Sequence, residues 1–140
     1  MNDDVSQLTQ LGSNKTEYKY SGPCKEILET FPNKFPERVY EITHESKEFT
    51  SLCPRTGQPD FAEITVTYMP NLLCVESKSL KLYIGAYRNE GSFMETICNR
   101  ILSDLVAVCA PRTMYVDMVF NARGGITTKV GASHYESTSE

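Results

Sequence analysis

A strand-like segment with two different faces, residues 61–68, most constrains what this chain can fold into. Apolar and polar residues alternate along it, with Ile64, Val66 and Tyr68 on one face. Alternation with a period of two residues predicts a half-buried strand. The other elements must therefore be arranged around a sheet with one face in the core.

The remaining pattern predicts strands on both sides of a helical region. Residues 39–43, 114–120 and 126–130 read as further strands, 23–31 as a short helical segment, and 49–60 and 121–125 as loops. Residues 76–88 and the segment from Ser92 to Pro111 carry apolar stripes at helical spacing. The order strand, strand, helix, helix, strand, strand favours an α+β fold, an antiparallel four-stranded sheet with two helices on one face.

The chain is long enough for one domain, which we assign to residues 21–132. Residues 1–20 are predicted to be a polar arm, and residues 133–140 a disordered tail. Both faces of the predicted sheet carry apolar side chains, and two helices cannot cover both faces. The uncovered face and the sheet edges therefore favour oligomerisation.

Charge and cysteine content narrow the classes of function. The formal net charge of −4 argues against a nucleic-acid partner. The odd number of cysteines, five, and the acidic N-terminus without a signal-peptide pattern favour reduced thiols in the cytoplasm. No 18-residue apolar run is present, so no membrane span is expected. With two histidines and no CxxC pair, no metal site is expected.

A cysteine on a turn-rich loop is the first candidate for chemistry. Cys53 lies between Phe49 and Phe61, and Asp60 follows it by seven residues. A thiolate is a strong nucleophile, and a nearby carboxyl group can transfer a proton. From spacing alone, an inert cysteine and a strand-start aspartate are the more common outcome.

Three further stretches have both a structural and a functional interpretation. The segment Glu76–Tyr83 begins a helix whose free N–H groups and lysines could bind an anion, or it is an ordinary helix start with Ser77 as the cap. Ser92 and Glu95 fit a capping box, but Glu95 could instead be a buried carboxylate that binds a purine-like ring. Arg123-Gly124-Gly125 is either a hairpin turn or a phosphate-binding loop.

Together these stretches resemble the QueF-type nitrile reductases, the 7-cyano-7-deazaguanine reductases of queuosine biosynthesis. The resemblance runs from Phe31-Pro32-Asn33-Lys34 through the Cys53 loop to Arg123-Gly124-Gly125, and Glu76–Tyr83 looks like the family signature. It implies the tunnelling fold (T-fold), shared with enzymes such as GTP cyclohydrolase I. It also implies homo-oligomers, pentameric rings or a decamer, whose sheets close a barrel with active sites between subunits.

The resemblance also implies a role for each matching residue. Cys53 corresponds to the nucleophile that forms a covalent thioimide with the nitrile, and Asp60 to the proton donor. The matches to substrate-binding positions are Val75, Glu76, Ser77, Met94 and Glu95. NADPH, which must supply two hydrides, would be held by Lys78, Ser79, Arg123 and Gly124, with Lys81 as a plausible addition.

Met94 is a departure, because the family usually has a histidine directly before the base-recognising glutamate. Methionine cannot transfer a proton or donate a hydrogen bond, although it can pack against a base. Two alternatives stay open, of which only the second is suggested by Met94. One is a QueF-like enzyme that resolves the same thioimide with ammonia to form an amidine, and the other is a weakly active purine-binding ring protein.

Overall fold

The structure, a computed structural model, describes residue 6 and residues 22–137. In chain order its strands are β1 (Thr30–Pro32), β2 (Ile42–Leu52), β3 (Pro59–Met69), β4 (Leu73–Val75), β5 (Thr113–Arg123) and β6 (Ile126–Tyr135), with helices α1 (Ser77–Gly85) and α2 (Met94–Cys109) between β4 and β5. The large sheet is antiparallel and has the order β2-β3-β5-β6. The predicted α+β class and order of elements are confirmed.

The alternation that predicted β3 corresponds to the core of the molecule. Ile64, Val66 and Tyr68 are at most 2% exposed and face the helices. In the neighbouring strand, Val116 pairs with Val66 and is equally buried. The helices, with the 3₁₀ helix Ala86–Asn89 that follows α1, complete this core with the buried side chains of the predicted stripes: Leu80, Tyr83, Tyr87, Ile97, Ile101 and Leu105. One face of the sheet is thus sealed by α1 and α2.

The first strand was predicted in the wrong place. Residues 39–43 were expected to be a strand and 49–60 a loop, but β2 runs over Ile42–Leu52 and pairs with β3 up to Pro59. The register shifts between Ser46 and Phe49. A bulge of this kind breaks the period of two, so the pattern across it does not read as one strand. The loop therefore shrinks to residues 53–58.

A small second sheet was not predicted. β1 pairs with β4, with Thr30 opposite Val75. The expected helical segment over 23–31 is a single 3₁₀ turn, Lys25–Ile27. Strands of three residues carry too little alternation to be recognised from the sequence. This ribbon leads the chain directly into α1.

The last hairpin is longer than predicted. β5 extends to Arg123 and β6 to Tyr135, so the loop at 121–125 reduces to Gly124 and Gly125. Both have positive φ, 56° and 79°, a conformation that glycine adopts without strain. The tail expected from residue 133 is wrong for 133–135, which belong to β6; residues 138–140 lie outside the described residues. So does the predicted arm over 1–20, apart from Ser6.

The uncovered face of the sheet is more polar than expected. Its central positions include Thr65, Thr67 and Asp117, while Phe61 and Val119 are its exposed apolar members on β3 and β5. Within residues 22–137, neither helix has the length and apolar character needed to cross a bilayer.

Candidate active site

The Cys53 loop is a tight connection between β2 and β3. The Cys53 N–H donates to the Gln58 carbonyl at 2.8 Å, and the Gly57 N–H donates to the Cys53 carbonyl at 3.0 Å. These two bonds close the loop across its base. The thiol is partly exposed, unlike the buried thiols of Cys74, Cys98 and Cys109.

The surroundings of Cys53 favour its thiolate. The hydroxyl of Thr56 and then the backbone N–H groups of Thr56 and Arg55 donate hydrogen bonds that lower the pKa of Cys53 to about 7. Partial desolvation opposes this shift, and the Arg123 guanidinium adds a smaller contribution in the same direction. A substantial fraction of the thiol is therefore ionised near neutral pH.

Asp60 lies beside Cys53 because β2 and β3 are paired at this point. Ser51 is opposite Asp60 in the register, and the Thr50 hydroxyl donates to the Asp60 carbonyl at 2.7 Å. The Asp60 side chain is 7% exposed. The structure thus brings the two predicted catalytic residues to one end of one hairpin.

Arg123 joins this pair from the end of β5. Its Nε lies 2.9 Å from Oδ1 of Asp60, an ion pair in which the N–H is not aligned for a hydrogen bond. Nη2 of Arg123 is buried and has no hydrogen-bond partner among the described residues. A guanidinium with a free buried donor beside a nucleophile can bind an incoming acceptor group.

The start of α1 is capped by Glu76 and not, as expected, by Ser77. The Glu76 carboxylate accepts hydrogen bonds from the N–H groups of Lys78 and Ser79, both at 2.8 Å. These bonds lower the pKa of Glu76. The Ser79 hydroxyl donates to the Glu76 carbonyl and accepts from the Glu29 N–H. The helix N-terminus is thus occupied by the chain's own carboxylate, and the predicted ligand roles of Glu76 and Ser79 stay predictions.

The other residues of the signature are divided between core and surface. Val75 is 4% exposed, and its N–H donates to the Tyr68 hydroxyl at 2.9 Å. Ser77 and Lys81 line a cavity of about 540 Å³ between β2 and α1, and Lys78 is exposed. Cys53 and Asp60 are not among the residues that line this cavity. The nucleophile therefore lies outside this cavity.

The start of α2 distinguishes the two interpretations of Glu95. The N-cap residue is Phe93, without a side-chain hydrogen bond, so the predicted capping box between Ser92 and Glu95 is wrong. Glu95 is exposed, not buried as expected, and no hydrogen bond or ion pair within 22–137 engages its carboxylate. Met94 packs against the core beside it. The Glu95 carboxylate is thus available to a ligand.

The predicted cofactor residues fall into two regions of the chain. Lys78 and Lys81 belong to α1, whereas Arg123 and Gly124 lie at the β5–β6 turn near Asp60. Three contributors were missed from the sequence: Thr56, which donates to the thiolate, and Glu90 and Arg100, which form an ion pair next to the loop. A Thr-Gly turn after a cysteine is a weak signal for the first, and no pattern indicated the other two.

Comparisons with known proteins place the chain among named relatives. The family model described as "QueF-like protein" matches residues 59–139. The NADPH-dependent 7-cyano-7-deazaguanine reductase of Magnetococcus marinus is 49% identical over 117 residues, which cover 84% of this chain and 91% of that protein. The enzyme of the same name from Nitrosococcus oceani is 55% identical over 114 residues, or 81% of this chain and 88% of that protein.

A solved structure, the archaeosine synthase QueF-Like in its apo form, matches with a TM-score of 0.61. It is 19% identical, and the match covers 71% of this chain and 96% of that one. At this identity the likeness concerns the fold alone, and it confirms the tunnelling-fold prediction.

Proposed function

The chain belongs to the QueF-like protein family, and we propose that it reduces the nitrile of 7-cyano-7-deazaguanine to an aminomethyl group with NADPH, in queuosine biosynthesis. Two relatives of 49% and 55% identity, each matching more than four-fifths of the chain, carry the name of this reductase. The recognition of the family from the Cys53 loop and the signature Glu76–Tyr83 is confirmed.

The observation that carries the proposal is the state of Cys53. Its thiol is partly exposed, and hydrogen bonds lower its pKa to about 7. A nitrile is a poor hydride acceptor until a nucleophile adds to its carbon, and a thiolate is suited to that addition. An exposed, readily ionised thiol is the group that such a reaction needs first.

Asp60 and Arg123 supply the proton chemistry of the addition. The Cys53 thiolate forms a C–S bond with the nitrile carbon while the nitrile nitrogen takes a proton from the Asp60 carboxyl group, which gives a thioimide. The carboxylate that remains is stabilised by Arg123, whose Nε lies 2.9 Å from it.

Three cationic side chains, two on α1 and one at the β5–β6 turn, have the charge to bind a phosphorylated cofactor. Lys78 is exposed, Lys81 lines the cavity between β2 and α1, and Arg123 has a buried N–H without a partner. These side chains, with the Gly124 turn and Ser79, would hold NADPH. When bound, NADPH supplies the two hydrides that take a nitrile through an imine to an amine.

Base recognition involves the ends of β4 and α2. The free Glu95 carboxylate would accept hydrogen bonds from the guanine-like edge, Met94 would pack against the ring, and Val75, Glu76 and Ser77 would contact it. Because Cys53 and Asp60 do not line the cavity between β2 and α1, a pocket around the nucleophile needs a further wall. A neighbouring subunit in a ring, pentameric or decameric, would provide it.

Free cysteines and use of NADPH support a cytoplasmic location.

Two parallel incubations, one with NADPH and one with ammonia, test the proposal. The protein is incubated with 7-cyano-7-deazaguanine and NADPH, or with the nitrile and ammonium chloride, and the product is identified by mass. We expect NADPH oxidation with two equivalents consumed per aminomethyl product. An amidine product without NADPH oxidation would assign the chain to the ammonia-using reaction instead, and binding without either product would indicate a purine-binding protein.

A further inference from the structure

A short segment, Glu90–Ser92, is hydrogen-bonded to the strand end that carries Cys53; we name it the 90–92 bridge. The Leu52 N–H donates to the Glu90 carbonyl at 2.9 Å, and the Ser92 N–H donates to the Leu52 carbonyl at 3.2 Å. A Cβ placed on Gly91 would come 3.4 Å from Cα of Pro54, so the bridge also packs against the residue after Cys53. The position of the nucleophile therefore depends on this segment.

The same bridge leads directly into the start of α2. Phe93 is the N-cap residue of the helix, and Glu95 lies in its first turn. Only two residues separate Ser92 from Glu95. The bridge therefore connects the nucleophile to the carboxylate that is proposed to recognise the base, and its placement determines the spacing between them.

Arg100, one to two turns further along α2, holds the bridge. Its Nη1 lies 3.3 Å from Oε1 of Glu90, and its Nη2 donates to the Pro23 carbonyl at 2.8 Å. The guanidinium carbon lies 5.9 Å from the centre of the Tyr87 ring. Arg100 and Glu90 are 40% and 29% exposed, and ion pairs this exposed contribute little to stability. The contact instead limits where the Glu90 side chain and its backbone can lie.

Beneath Arg100, the buried Tyr83 and Tyr87 and the partly buried Asp104 are joined by hydrogen bonds. The Tyr83 hydroxyl donates to Oδ2 of Asp104 at 2.5 Å and shares a hydrogen bond of 2.9 Å with the Tyr87 hydroxyl. Oδ2 of Asp104 lies 4.0 Å from Nε of Arg100. The Tyr87 ring also packs against Phe49, on the strand β2 that leads into the Cys53 loop, with the ring centroids 5.6 Å apart. The residues that contact Arg100 are thus linked to each other and, through Tyr87 and Phe49, to β2.

We propose that Arg100, acting through Glu90 and the 90–92 bridge, is a positioning residue that sets the spacing between the Cys53 nucleophile and the Glu95 carboxylate. The inference rests on the proposed function of these two residues. A misplacement of about 1 Å between reacting groups lowers a rate strongly without preventing binding. Loss of the contact therefore affects the rate of attack on the nitrile more than the affinity for it.

The test compares Arg100→Gln, Glu90→Gln and the double variant in the full chain, with Arg100→Lys as the conservative variant. The matched control is Arg112→Gln, because Arg112 also donates from Nη2 to a proline carbonyl, that of Pro36, at the opposite end of the sheet. Two quantities are measured: the rate of Cys53 adduct formation against nitrile concentration, and the amide hydrogen exchange of Leu52 and Ser92 without substrate.

We expect each single variant to lower the saturating rate about tenfold, with the half-saturating concentration changed by less than about twofold. The double variant should be no slower than Arg100→Gln, because both single substitutions remove the Arg100–Glu90 contact through which Arg100 is proposed to act. Amide hydrogen exchange at Leu52 and Ser92 should be faster in Arg100→Gln, Glu90→Gln and the double variant. Arg100→Lys should recover part of the rate of adduct formation, and Arg112→Gln should retain that rate.

Three results would overturn the proposal: unchanged exchange at Leu52 and Ser92 in Arg100→Gln, faster exchange with an unchanged rate, or an equal loss in Arg112→Gln. Failure of the proposed function is distinguishable, since the unmodified protein would then form no adduct with the nitrile. In that case the exchange measurement still decides whether Arg100 holds the bridge.

Discussion

Cys53 and Cys98 are both free thiols, but they occupy opposite environments. Cys53 lies on a partly exposed loop, where the Thr56 hydroxyl and two N–H groups lower its pKa to about 7. Cys98 lies on the core side of α2, fully buried, and its thiol donates to the Val116 carbonyl at 3.4 Å. Burial, with a smaller effect of the Asp117 charge, raises its pKa to about 11. The surroundings of a cysteine, and not its presence, thus determine whether it can act as a nucleophile.

The largest expected effect is the difference in alkylation between these two thiols. Because only the thiolate reacts, Cys53 should react with iodoacetamide at pH 7 at least about a thousandfold faster than Cys98. Peptide mass spectrometry over a time course measures both rates in the same sample. In denaturant the rates should become similar. If the alkylation rate of Cys98 in the folded protein is within about tenfold of that of Cys53, the two environments do not differ as described.

The next effect concerns Asp60, the proposed proton donor on the Cys53 hairpin. Asp60→Asn keeps the shape of the side chain but cannot deliver a proton, so turnover should fall about 10²- to 10⁴-fold. NADPH oxidation with the nitrile measures this loss. Glu37→Gln, an exposed surface change, serves as the control and should retain full turnover. Turnover of Asp60→Asn within about threefold of the unmodified protein would exclude Asp60 as the proton donor.

Met94 relates to both the buried and the exposed environment, because it packs against the core and directly precedes the exposed Glu95. If a histidine here assists proton transfer, Met94→His should raise turnover roughly tenfold with little change in adduct formation. Met94→Leu keeps an apolar side chain and should leave both quantities nearly unchanged. A histidine variant with flat or reduced turnover and weaker binding would show that the position serves packing against the base.

The smallest effect should come from Thr56, the largest single cause of the lowered pKa of Cys53. Thr56→Val removes the hydroxyl donor, so the pKa should move up toward its usual value. Less thiolate is then present at pH 7, and alkylation there should slow about three- to tenfold, while the rates converge at high pH. Thr56→Ser keeps the hydroxyl and should keep the pH profile. Identical profiles for the valine and serine variants would remove Thr56 from the account.

The sequence predicted the regions with regular patterns and missed those that depend on single contacts. The alternation in β3 and the stripe of Ile97, Ile101 and Leu105 were sufficient because burial on one face imposes a period. The bulge between Ser46 and Phe49 interrupted that period and hid most of β2. The ribbon of β1 and β4 is too short to have a period at all.

The site residues divide in the same way, into those that a sequence pattern indicated and those that depend on single contacts. Cys53 and Asp60 were predicted as catalytic residues because their loop resembles a known family, and the pairing of β2 with β3 brings them to the same end of one hairpin. The ion pair of Arg123 with Asp60 joins positions far apart in sequence, and no local pattern encodes it. The cap of α1 by Glu76 was missed because serine, not glutamate, is the favoured N-cap residue.

The central claim, that Cys53 forms the covalent thioimide, is tested most directly by the mass of the intact protein. After incubation with 7-cyano-7-deazaguanine and no NADPH, the unmodified chain should gain the mass of one substrate, with a new thioimide absorbance. Cys98→Ala should gain the same mass, and Cys53→Ala should gain none. An adduct on Cys53→Ala, or no adduct on the unmodified protein, would contradict the account.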